Sequence, residues 1–138
     1  MTLIFVYGTL KQGFPNFHLN DGTRVQGDFH TKDKFELYVT GSRYSPCLVR
    51  NTDLGGAVVG QVFKVDDLTL AKMDVLERVS EPDGYQKTRI TVVETESMTE
   101  LDVWVYMKRM DQVKSAEVKF GPLVEYEQVH AIQYSQKV

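Results

Sequence analysis

A run of apolar, β-prone residues, Leu3-Ile4-Phe5-Val6-Tyr7, stops abruptly at Gly8-Thr9-Leu10, and a second glycine follows at Gly13. A continuous apolar segment of strand length, here Thr2 to Tyr7, predicts a strand buried on both faces rather than the alternating pattern of a half-solvated one. Such a strand needs covering layers on both sides, which restricts the architectures open to the chain. Its exit turn carries little side-chain cover, and successive backbone N–H groups in a turn of this kind form a concavity suited to an anion. A plainer reading is also open, in which Gly8 only permits a sharp bend out of the strand.

The turn is not a nucleotide-binding loop. The Gly8 to Gly13 spacing matches the first half of a P-loop, but Phe14-Pro15 stands where that motif needs Lys and Ser or Thr, and no G-x-G-x-x-G is present. A net charge of −3, with Lys and Arg scattered, argues against a nucleic-acid groove. Cys47 is the one cysteine, and His18, His30 and His130 stand far apart, so neither an internal disulfide nor metal-ligand spacing is expected. A reducing cytoplasm is the expected setting. Leu3 to Val6 is too short for a membrane span or a signal segment, and no membrane partner is expected. The length of 138 residues, 42% of them hydrophobic, suits a single domain over residues 1–138. The oligomeric state is left open.

Further strands are expected at Lys34 to Val39 and Cys47 to Arg50, separated by the turn-rich Thr40 to Pro46. Val58 to Val65 is a better candidate, with Val59, Phe63 and Val65 on one face and Gly60 interrupting the other, a mark of a bulge or a close backbone approach. Asp66-Asp67 supplies the cap and acidic first turn of a helix through LTLAKMDVLE, ended by Ser80-Glu81-Pro82-Asp83-Gly84. Tyr85 to Val93 and Leu101 to Met107 alternate as a hairpin joined by Glu94 to Glu100, and Glu127 to Tyr134 is a last, weaker strand candidate that either completes the sheet or only packs along its edge. The expectation is α+β, a small mixed, barrel-like sheet of five to seven strands with one main helix.

Within that helix Leu70, Met73 and Glu77 are spaced i, i+3, i+7, which places a carboxylate on the apolar stripe, with Leu76 beside it. An apolar wall disfavours the charged form and raises the pKa toward the range useful for proton transfer. The alternative is that the helix ends by Leu76 and Glu77 is solvated. Asp74 is a second carboxylate nearby, with an exposed helix position as its other reading. Cys47, between Pro46 and Leu48, reads as a small buried hydrophobe, and Ser42 and Ser45 lack the elbow of a serine hydrolase. Tyr7, Tyr85 and Tyr106 are core aromatics whose hydroxyls could line a pocket.

Taken together, FVYGTLKQG with the following Phe14, Pro15 and Asn16, the helix-borne MDVLE, the later GYQKT and the strand WVYM resemble the γ-glutamylcyclotransferase-like family, most closely its γ-glutamylamine cyclotransferase branch. The resemblance runs from Phe5 to about Met107 and is most specific at Tyr7-Gly8-Thr9-Leu10, extended in register by Lys11, Gly13, Pro15 and Asn16. It implies a barrel-like fold with a pocket at one end, Glu77 as the acid/base, and substrate contacts from Tyr7, Gly8, Thr9, Leu10, Asn16, Tyr85 and Tyr106. It also implies a small-molecule γ-glutamyl substrate and no cofactor or metal, because the nucleophile is the substrate's own α-amine. The competing expectation is a binding module that uses the same turn to hold a small carboxylate or amino acid without chemistry.

Overall fold

The structure, a computed structural model, describes residues 1–50, 54–113 and 117–134. Strands β1 (Thr2–Val6), β2 (Thr23–Arg24), β3 (Phe29–Thr31), β4 (Glu36–Thr40), β5 (Ser45–Val49) and β6 (Val59–Val65) precede helix α1 (Asp67–Leu76). Strands β7 (Gln86–Glu94), β8 (Glu100–Met107) and β9 (Val118–Leu123) follow, and then a short helix α2 (Gln128–Ala131). The order β1-β8-β7-β3-β6 closes on itself through a second β1 pairing, so the sheet is a five-stranded barrel with β2 added on β6. A separate sheet, β5-β4-β9, packs beside it.

The opening strand is central to this barrel. Its edges pair antiparallel with β6, from Thr2↔Val65 to Val6↔Gln61, and parallel with β8 at Ile4↔Trp104. Its side chains alternate between two layers. Phe5 and Tyr7 join the interior cluster with Phe29, Val62, Val92, Val103 and Val105. Ile4 and Val6 pack in the outer cluster with Phe63, Val65 and Met73. Both faces of β1 are therefore buried, as its uninterrupted apolar run requires.

Helix α1 covers the outer layer. Asp66 caps it, its carboxylate accepting from the Thr69 N–H at 2.8 Å. Thr69 and Met73 are buried beneath it, while Leu68 and Val75 face solvent. The expected hairpin forms, pairing from Gln86↔Met107 to Val93↔Glu100.

The secondary structure differs from expectation in the short strands β2 and β3, which were not expected, and near the C-terminal end. Glu127 to Tyr134 is not a strand: α2 forms there, with the Glu127 N–H donating to His130 Nδ1 at 2.9 Å and with His130 and Ala131 buried as neighbours. Adjacent burial fits a helical turn and not the alternation of a strand. The missing sheet partner is instead β9, which pairs with β4 through Leu37↔Leu123 and Val39↔Phe120. Between those pairs one residue of β4, Tyr38, opposes two of β9, Gly121 and Pro122, a sequence that argues against a strand unless it lies at an edge or bulge.

Gly60 marks a close approach. A Cβ there would sit 2.5 Å from the Val6 carbonyl oxygen and 2.7 Å from Cζ of Phe5. Gly60→Ala is expected to lower the unfolding free energy by about 1–3 kcal/mol through overpacking, read as a lower urea midpoint at unchanged m value. An unaltered midpoint would show that β1 and Phe5 yield without cost.

Candidate active site

The turn after β1 is held rigidly. The Lys11 N–H donates to the Gly8 carbonyl at 3.1 Å and the Asn16 N–H to the Thr9 carbonyl at 2.8 Å. Asn16, 1% exposed, donates from its side chain to Thr9 Oγ1 at 2.9 Å and to the Tyr134 hydroxyl at 2.8 Å. Lys11 is buried, and its ammonium donates to the Tyr126 carbonyl and lies over Phe14. Gly8 is needed for packing, since a Cβ would meet Cγ of Pro46 at 2.5 Å. The N–H groups of Gly8, Thr9 and Leu10 find no protein acceptor among the described residues. All three residues line a cleft of about 180 Å³, where those donors form a concavity of the kind suited to an anion.

Glu77 lies on the opposite wall. Helix α1 ends at Leu76, as the shorter reading of the helix had it, yet Glu77 is not solvated. Its N–H donates to the Met73 carbonyl, and its carbonyl accepts from the Tyr85 N–H at 2.9 Å, which ties it between helix and strand. Arg78 then turns the chain away with φ 55. The half-buried carboxyl of Glu77 is pushed up to about 7 by loss of solvent, and the Lys108 ammonium draws it partly back. A carboxyl that titrates near neutrality can accept and return a proton.

The tyrosines form the walls, and their hydroxyls are committed. Tyr7 donates to the Tyr106 carbonyl at 2.7 Å and accepts from the Leu48 N–H at 3.2 Å. Tyr85 donates to the Pro46 carbonyl. Tyr106 donates to Asp74 Oδ1 at 2.7 Å, and Asp74 also pairs with Lys87 at 3.0 Å. Asp74 is thus a bracing group for Tyr106 and neither a free second acid nor a fully exposed helix residue. With the Tyr106 proton engaged, the N–H groups of Gly8, Thr9 and Leu10, and not this hydroxyl, are open to a ligand.

Every residue expected at the site, Glu77 with Tyr7, Gly8, Thr9, Leu10, Asn16, Tyr85 and Tyr106, lines this one cleft. Cys47 is fully buried, with burial pushing its thiol up, as suits a core residue. Arg43, Lys108 and Tyr134 also line the cleft and were not anticipated. Arg43 stands in the turn-rich Thr40 to Pro46 stretch, where its being on a loop was the only hint. Lys108 follows β8 directly, and Tyr134 was hidden in the segment misread as a strand. Among the described residues no three His, Cys, Asp or Glu side chains converge as metal ligands, and no helix is long and apolar enough to cross a membrane.

Comparison with known proteins matches residues 4–128 to the family described as gamma-glutamyl cyclotransferase, AIG2-like. A gammaglutamylaminecyclotransferase of Bos taurus is 37% identical over 108 residues, covering 75% of this chain and 63% of its own. Gamma-glutamylaminecyclotransferase B of Danio rerio is 35% identical over 116 residues, covering 78% of this chain and 60% of its own. The chain thus spans somewhat under two thirds of these two relatives. The crystal structure of an AIG2-like protein from Mus musculus superposes with a TM-score of 0.82 at 26% identity, covering 99% of this chain and 97% of that one.

Holding Glu77 ionised costs stability. Its folded pKa, near 7, stands above the ordinary 4.5, so the stability present below pH 4.5 is lost as pH rises through about 7. Glu77→Gln is expected to match the wild type at pH 4.5 and to exceed it at pH 8 by on the order of 2 kcal/mol, allowing for the cleft's opening to water. Thermal or urea unfolding at both pH values measures this, and an equal difference at both would show a solvated carboxyl.

Proposed function

The chain belongs to the gamma-glutamyl cyclotransferase, AIG2-like family, and on that footing we propose that it converts the γ-glutamyl group of a small γ-glutamyl amine or peptide to 5-oxoproline, with Glu77 as general acid/base. The observation that carries this reading is the pairing within one cleft of free backbone donors at Gly8, Thr9 and Leu10 with a half-buried carboxyl that titrates near neutrality.

The chemistry follows from the shape of the substrate. In a γ-glutamyl compound the α-amine can reach its own γ-carbonyl carbon and close a five-membered ring, whereas an α-linked glutamate cannot. The α-carboxylate occupies the N–H seat after β1, which fixes the headgroup. The α-ammonium, with an ordinary pKa of about 8, gives a proton to Glu77 and becomes the nucleophile. The new C–N bond forms and negative charge gathers on the γ-oxygen; of the three N–H groups of the seat, the one not taken by the two carboxylate oxygens is the donor available to it. The tetrahedral carbon then expels the amide nitrogen, which takes the proton back from Glu77 and leaves as a free amine, while the ring nitrogen sheds its second proton through the emptied carboxylate to that amine.

Positioning does most of the work. Well-oriented intramolecular reactions reach effective molarities on the order of 10⁵–10⁸ M, and the substrate brings its own nucleophile. Nε-(γ-Glutamyl)lysine is one γ-glutamyl amine of this class.

Incubation with a panel of γ-glutamyl amines and dipeptides, assayed for 5-oxoproline, is expected to give product. Absence of product from every member, with calorimetry showing unconsumed bound ligand, would favour the binding module. Glu77→Gln is expected to keep ligand binding while kcat falls by roughly 10²–10⁴. In the wild type kcat/KM should rise with pH through about 7, where the carboxylate form of Glu77 becomes populated. That limb should vanish in the variant, and a variant of full activity would remove Glu77 from the mechanism.

A further inference from the structure

We propose that Arg43, with Lys108 deeper in the cleft, forms a cationic subsite that selects γ-glutamyl substrates whose leaving amine carries a carboxylate; this rests on the cyclotransferase reading of the same cleft. Arg43 is exposed in the turn between β4 and β5, yet it lines the cleft together with Glu77 and Thr9. Its lack of a partner is unusual in this molecule. Arg24, Arg78 and Arg109 each pair with an acid, and Arg50 and Arg89 lie over aromatic rings. Among the described residues Arg43 does neither. Arg78 lines the same cleft but is held by Glu81 and Asp83, so it is not available to a ligand.

Lys108 adds a second cation to that wall. It is half-buried, its ammonium lies 4.8 Å from the Tyr85 ring centroid, and no carboxylate among the described residues is within ion-pair distance. Stacking on an aromatic face fixes the ammonium without consuming its charge for a protein anion.

The depth of the groups decides which part of the substrate each one meets. Thr9 and Leu10 are 7% and 4% exposed, so the seat they form lies at the base of the cleft and takes the α-carboxylate of the glutamyl headgroup. The headgroup must fold there to cyclise, which leaves the departing amine to project toward the opening. Arg43 stands at that opening. A carboxylate on the carbon next to the amide nitrogen, as in a γ-glutamyl amino acid, would meet a planar guanidinium able to grip both oxygens. A simple alkylamine offers nothing to those donors.

The test compares kcat/KM for γ-glutamylglycine and for γ-glutamylethylamide, whose leaving groups differ chiefly in the carboxylate. The wild-type ratio is expected to favour the glycine compound by about tenfold, the worth of one well-made charged contact. Arg43→Ala should bring the ratio close to one, and Arg43→Lys should fall between the two. Lys108→Met should lower the same ratio. A wild-type ratio within twofold of one, or a ratio retained in Arg43→Ala, overturns the subsite while leaving the cyclotransferase reading intact. Equal loss on both substrates in Arg43→Ala also overturns it, because Arg43 would then hold the common headgroup. Absence of 5-oxoproline from both compounds overturns the reading beneath it.

Discussion

Burial of β1 on both faces is the constraint from which the rest of the molecule follows. The strand pairs along one edge with β6 and along the other with β8, and its side chains alternate between the barrel interior and the layer beneath α1. A strand held on four sides has no freedom to slide, since a slip of one residue would exchange Phe5 with Ile4 or Val6 and place every side chain in the wrong layer. Its exit therefore leaves the barrel at one fixed point. The N–H groups of Gly8, Thr9 and Leu10 inherit that rigidity, reinforced by buried Asn16 and Lys11. Preorganised donors of this kind need no rearrangement when an anion arrives.

The outer layer serves the opposite wall in the same way. Met73 anchors α1 against Ile4, Val6 and Phe63, and one turn later the chain leaves the helix at Glu77. Because the Glu77 carbonyl accepts from Tyr85 at the start of the hairpin, its side chain is directed by helix and barrel together. The elements that bury β1 thus also bring a carboxyl and an anion seat into one cleft. Its ionised form is destabilising where it stands, for water is withdrawn from it and the Lys108 charge offsets this in part. A core built for stability alone would place an amide or an apolar residue there, and functional sites are where such local conflict is found.

Much of this was legible in the chain because the signals were local. The two-faced strand, the Asp66 cap, the helix stripe leading to Glu77 and the β7–β8 hairpin each declare themselves within about ten residues. What escaped was decided by distant partners. Strands β2 and β3 span only Thr23–Arg24 and Phe29–Thr31 and exist because β6 and β7 offer them edges. Strand β9 tolerates Gly121-Pro122 because its register shifts there against β4. Glu127 to Tyr134 has strand-forming Val129 and Ile132, but the bond from the Glu127 N–H to His130 turns it into a helix. Arg43 and Lys108 are unremarkable in sequence, and only the closing of the barrel and the docking of the second sheet bring them to the same cleft.

On the cyclotransferase reading, the charge on Glu77 is governed by what occupies the cleft. An entering α-ammonium is an opposite charge beside the carboxyl and favours its ionised form, which is the state needed to accept a proton. Once the ammonium has given up its proton its charge is gone and the neutral form of Glu77 is favoured instead, until attack makes the nitrogen positive and acidic again. The amide nitrogen of the tetrahedral species is by then far more basic than in the starting amide, and the proton moves on to it. A carboxyl with an ordinary pKa would be a weak acceptor in the first step, and one well above neutrality would be a poor donor in the last. Partial desolvation offset by Lys108 holds Glu77 between those limits. One carboxyl suffices for both proton transfers because the two nitrogens are bonded in turn to the same carbon and lie within reach of the same oxygen.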